Sequence, residues 1–93
     1  MNNKIVRKEL RELGKLENAG ENLCQAMSER FVQLRKKYLS VFAILDPIEL
    51  FVITSHYFSG STYNSIAHTL KYTSQSIENI ALKAIKKIVT ALG

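Results

Sequence analysis

Ser74, Gln75, Glu78, Asn79 and Lys83 follow an i, i+1, i+4, i+5, i+9 spacing, which gathers them on one polar stripe if the segment is an α-helix. Their chemistry is hydrogen bonding. The amide of Gln75 or Asn79 sets a donor beside an acceptor, the arrangement that matches the N6 and N7 edge of adenine. Glu78 can accept from cytosine N4. Thr62 and Thr73 stand at expected helix starts, where free backbone N–H groups and a hydroxyl suit a phosphate oxygen. Lys71 and Lys83 add positive charge nearby. Catalytic patterns are missing. There is no glycine loop of the phosphate-binding kind and no pair of carboxylates at a working spacing. His56 and His68 lie twelve apart with no cysteine or paired acid near them in sequence, so no metal site is expected. Cys24 is the only cysteine; no base is placed to activate it, and it reads as a small packed side chain. No enzyme and no cofactor are expected.

The stripe needs a scaffold, and the sequence supplies one. Ile66, Ala67, Leu70 and Tyr72 form an apolar set that resumes at Ile77, Ile80, Ala81, Ala84, Ile85 and Ile88. That spacing predicts two helices broken briefly at Lys71-Tyr72-Thr73, with Thr73 capping the second, which runs to about Ala91. Upstream, Asp46-Pro47-Ile48-Glu49 is a strong helix start, with Asp46 at the N-cap, Pro47 in the first turn and Glu49 placed for a capping box. The helix it opens is apolar nearly all round and should be buried. Ser59-Gly60-Ser61 ends it, with Gly60 left-handed and Ser61 or Thr62 capping the next helix. Residues 3–43 are rich in Lys, Glu, Leu, Arg and Gln, contain no proline and read as helical. One stripe along them, Leu13, Leu16, Leu23, Met27, Phe31, Leu34, Tyr38 and Phe42 on to Leu45, needs a cover. Either the C-terminal part or a second copy of the chain could provide it. Gly20 leaves open whether this arm is one helix or two.

Ninety-three residues and a hydrophobic fraction of 46% allow a small core, and chains of this size often gain stability from a partner. The net charge of +5 favours polyanions without demanding them. Most of it lies in residues 1–44, where Arg7-Lys8-x-x-Arg11 and Arg35-Lys36-Lys37 stand out. Such clusters are commonly solvated faces, and their functional reading is contact with phosphates flanking a groove. No apolar run is long enough to span a bilayer, and no signal segment opens the chain, so a cytoplasmic protein without membrane contact is expected.

From Leu45 onward the chain resembles region 4 of bacterial sigma factors and the sigma-like regulators of phages, the ArpU type among them. The residues that carry the resemblance are Tyr57, Phe58 and Gly60 at a turn, then Thr62, Ile66, Ala67, Leu70 and Thr73, then Ile77, Ala84, Ile85 and Ile88. The register runs without a gap over about half the chain. Ser65 and Lys71 depart from the glutamate and turn glycine of that pattern, and the recognition segment holds no arginine. The resemblance implies a bacterial or phage origin and an all-α fold: a helical N-terminal arm (1–44) for dimerisation or docking, then a trihelical helix-turn-helix domain (45–93). It also implies a DNA-binding transcriptional regulator that presents the helix 74–91 to the major groove, at a site unlike a sigma promoter element, and a contact with RNA polymerase. Nothing resembles a promoter-melting region, which excludes a complete sigma factor. The expected partners are double-stranded DNA, RNA polymerase and a second copy of the chain. The expected DNA-binding residues are Thr62, Lys71, Thr73, Ser74, Gln75, Glu78, Asn79 and Lys83. A second reading takes the same scaffold as a protein-interaction module that binds polymerase or another regulator without DNA.

Overall fold

Five helices make up most of the computed structural model, which describes residues 2–19 and 24–93. They are α1 (Asn3–Ala19), α2 (Gln25–Phe42), α3 (Pro47–Tyr57), α4 (Tyr63–Leu70) and α5 (Ser74–Leu92). No strand occurs among the described residues. Gly20 and Leu23, both named above, lie outside them. The helix ends follow local chemistry. At α3 the Asp46 N–H donates to Glu49 Oε1 at 2.9 Å. Thr62 Oγ1 accepts from the Ser65 N–H and Thr73 Oγ1 from the Ser76 N–H, each at 3.1 Å. These side chains satisfy amides that a helix cannot satisfy itself. Gly60 is left-handed after α3, with φ 74°.

The arm is two helices that fold back on each other, held in register by charge. Arg30 on α2 meets Glu12 on α1 through Nε at 3.2 Å and Nη2 at 3.1 Å. Lys37 Nζ and the Tyr38 hydroxyl both donate to Glu9 Oε1, at 2.8 and 2.7 Å. Burial pushes the Glu9 carboxyl up, but these donors and the charges of Lys37 and Arg30 outweigh it and hold the group below its ordinary value. Among its described residues the apolar stripe is covered within the chain except at Met27. Val6, Leu10, Leu13 and Leu16 of α1 and Leu34, Tyr38 and Val41 of α2 share one core with Ile53, Tyr57, Ala84, Ile85 and Ile88. Phe31 and Phe42 pack on its edge. A second, smaller core joins Val52 to Ile66, Ala67, Ile77 and Ala81. Helices α3, α4 and α5 thus pack pairwise, while α1 and α2 close over α3 and α5.

Four expectations of burial fail. Met27 and Phe51 are each 43% exposed, because α2 starts beyond the end of the core and α3 meets it along one side only. Cys24 is exposed; it precedes the first turn of α2, where no element lies over it. Tyr72 is 49% exposed, since the chain reverses at Lys71 (φ 60°, ψ 39°) and turns the next side chain outward. That left-handed conformation costs a residue with a β-carbon about 1 kcal/mol. Lys71→Gly should therefore raise the melting midpoint by roughly 4–8 °C. A midpoint that stays put or falls would show that the turn stores no such strain.

Candidate nucleic-acid interface

The end of the molecule formed by the starts of α4 and α5 gathers the predicted polar residues. Thr62, Lys71, Thr73, Ser74, Gln75, Glu78, Asn79 and Lys83 are all exposed. Ser74 Oγ donates to Asn64 Oδ1, which ties the first turn of α5 to the first turn of α4. Both helices present their positive ends there. After the threonine caps are counted, the amides of Tyr63 and Asn64, and of Ser74 and Gln75, have no partner among the described residues. Four N–H donors at two adjoining helix starts make a surface suited to anions.

Along α5, the five candidate side chains spread over about half the helix circumference. The buried side runs through Ile77, Ala81, Ala84, Ile85 and Ile88 and borders the stripe at Ser74 and Glu78. Gln75 Nε2 donates to Asn79 Oδ1 at 3.1 Å, so the two amides restrain each other on the outermost line. Ser74 and Glu78 lie towards one margin and Lys83 occupies the other. Burial pushes the Tyr63 phenol up, Tyr57 and the Glu78 charge add to the shift, and the Arg7 charge opposes it. The Lys83 charge also helps to hold the Glu49 carboxyl on α3 down. Lys87, one turn on, is taken up wholly by α3, with Nζ 2.8 Å from Glu49 Oε1 and 3.6 Å from Asp46 Oδ2.

No family model, curated protein or solved structure matches this chain. The site has to be judged on its own chemistry. It holds no nucleophile paired with a base, and among the described residues no group of three or more His, Cys, Asp or Glu could hold a metal. Among the described residues, no helix is long and apolar enough to cross a membrane. His56 is fixed in a structural setting, stacked on Tyr63 at 4.2 Å between ring centroids, with Nδ1 2.9 Å from the Ser61 carbonyl oxygen. Sequence reasoning missed Asn64, whose partner Ser74 lies ten residues away on another helix. It also missed Arg7 as a neighbour of the α4 start, because α1 and α4 are far apart in the chain.

Proposed function

We propose that this chain is a sequence-specific DNA-binding protein, a transcriptional regulator of phage or bacterial type, whose α4 and α5 form a helix-turn-helix. In this reading α5 enters the major groove. Gln75, Asn79, Ser74 and Glu78 meet base edges, while Thr62, Lys71, Thr73 and Lys83 hold phosphates. The observation that carries it is the joined pair of helix starts, with four unpartnered amides beside a mutually restrained Gln75–Asn79 pair. Paired starts of this kind grip the backbone while the amides reach the groove. The protein would act in the cytoplasm, where DNA and RNA polymerase are its partners.

Binding of the purified chain to a randomised DNA pool is the direct test. The retained sequences should share a motif. Asn79→Ala should weaken binding to it by about 1–3 kcal/mol, with little effect on binding to unrelated DNA. Absence of any enrichment at low salt would sink the reading.

Self-association would serve the same function by bringing two α5 helices to one duplex, about 34 Å apart. Most of the described stripe of the arm is buried inside the chain, so a dimer would use another face, and the outer face of α2 offers the most exposed apolar pair. There Val32 and Leu39, seven residues apart, are 61% and 56% exposed. Palindromic spacing in the recovered motif would mark that dimer.

The second reading, a protein-interaction module on the same scaffold, draws on Tyr72 and Leu82, 49% and 38% exposed on the turn and on α5. Such a module would tolerate Asn79→Ala and lose its partner on Leu82→Ser.

A further inference from the structure

The acids of α1 are paired with three of the four cations of α2, Lys36 excepted. Glu9 and Glu12 pair with Arg30 and Lys37, and Glu17 lies 3.9 Å from Arg35. The cations of α1 are left over. Lys4, Arg7, Lys8, Arg11 and Lys15 form no ion pair among the described residues, although they sit on the same helix as those acids. At about 100° per residue they fall within an arc of about 100°, a single five-cation face free of carboxylates. All are exposed but Arg7, which is half-buried.

This face lies against the α3–α4 connection and leads to the start of α4. The Arg7 charge acts on Tyr63, the first residue of α4. The Arg11 guanidinium lies 5.8 Å from the Tyr57 ring centroid. Arg11 and Lys15 then form one wall of an open cleft of about 260 Å³, with His56 and Gly60 on the other. The Gly60 N–H, like those of Tyr63 and Asn64, has no partner among the described residues. A row of cations about 1.5 Å apart per residue along the axis, spanning roughly 16 Å from Lys4 to Lys15, matches several successive phosphates of one strand.

We propose that the outer face of α1 binds the sugar–phosphate backbone of double-stranded DNA beside the bases met by α5. This rests on the DNA-binding reading above and deepens it: the net positive charge works from α1, and the nearly neutral α4–α5 region selects sequence. In the α2 run Arg35-Lys36-Lys37, which charge alone makes equally suited, Lys37 and Arg35 are already engaged with α1 acids, and Lys36 by itself makes no row of cations.

The experiment uses the full chain, a triple variant Lys8→Gln/Arg11→Gln/Lys15→Gln and a control Lys36→Gln. Each is checked for unchanged helicity and then titrated across a salt series against both selected and random DNA. The slope of log K against log salt should become shallower by about 0.9 for each phosphate that is no longer neutralised, up to about 2.7 in the triple variant. Lys36→Gln should leave it unchanged, and the selected motif should be the same for all three proteins. A motif that survives with an unaltered slope overturns the α1 assignment and leaves the DNA-binding reading intact. If no motif emerges but the triple variant still shows a shallower slope on random DNA, the α1 face stands and sequence-specific reading falls. Binding to anionic vesicles with none to DNA overturns both.

Discussion

Gly14→Ala should lower the melting midpoint by roughly 10 °C, a loss of about 2 kcal/mol. In an ordinary helix the same change stabilises by about 1 kcal/mol, because alanine loses less backbone freedom on folding. Here the sign reverses. A β-carbon at Gly14 would collide with the backbone carbonyl oxygen of Tyr57 and press on Phe58 Cα. Backbone atoms at the end of α3 cannot rotate away as a side chain would, so α1 itself must move. That displacement opens the core shared by Leu10, Leu13, Tyr57 and Ile53, and Asn18 Nδ2 loses its 2.9 Å hydrogen bond to the Phe58 carbonyl. Thermal denaturation followed by circular dichroism checks it. A midpoint equal to or above the wild type would mean that α1 does not dock this closely. The same variant should disturb the α1 cations relative to α4; under the DNA-binding proposal its affinity for DNA should then fall with the α5 face unchanged.

Glu49→Ala should cost about 1.5–3 kcal/mol, the range for hydrogen bonds to a charged group. Glu49 is 2% exposed, yet it carries two tasks through one oxygen. Its Oε1 accepts from the Asp46 N–H at the start of α3 and from Lys87 Nζ on α5. Removing it uncaps α3 and unpins α5 at once. The other oxygen, Oε2, has no hydrogen-bond partner among the described residues, which keeps the loss below what a fully satisfied buried carboxylate would give. Burial alone pushes the Glu49 carboxyl up, but the Lys87 and Asp46 donors and the charges of Lys87 and Lys83 outweigh it and hold the group below its ordinary value of 4.5. A carboxyl with a depressed folded-state pKa stabilises at pH above its unfolded value and loses that contribution as pH falls through the folded one. The stability gap between wild type and Glu49→Gln should therefore be full at pH 6–7 and narrow below about pH 4.5. Urea titrations at several pH values report it, and a gap that widens on acidification would contradict the assigned sign.

Much of the architecture is legible one helix at a time. The starts at Asp46 and Thr73, the choice of Ser61 or Thr62 for α4 and the left-handed Gly60 are visible from sequence, because a cap acts on amides two or three residues away, whereas the left-handed Lys71 is shown by the structure. The exposed line through Gln75 and Asn79 is legible for a similar reason: helical periodicity fixes which residues share a face once Ile77, Ala81 and Ile88 define the buried one. Periodicity failed at Met27, Phe51 and Tyr72. An apolar residue at the right spacing is buried only where another element covers it, and spacing says nothing about where the cover ends.

The remaining features depend on neighbours distant in the chain. Nothing around Gly14 in sequence marks it, and only the Tyr57 carbonyl against it gives it a role. Glu49 reads as a capping residue, and only the approach of α5 gives it Lys87. The candidate site divides in the same way. Residue types and local spacing determined which side chains line α5 and how its start is capped. The tertiary fold decided that the α4 start lies beside it through Asn64 and Ser74. It also decided that, of two basic runs similar in sequence, the one on α2 is drawn towards α1 acids while the one on α1 stays unpaired among the described residues. Charge pairing between helices follows the distance between side chains in space, and chain order does not contain that distance.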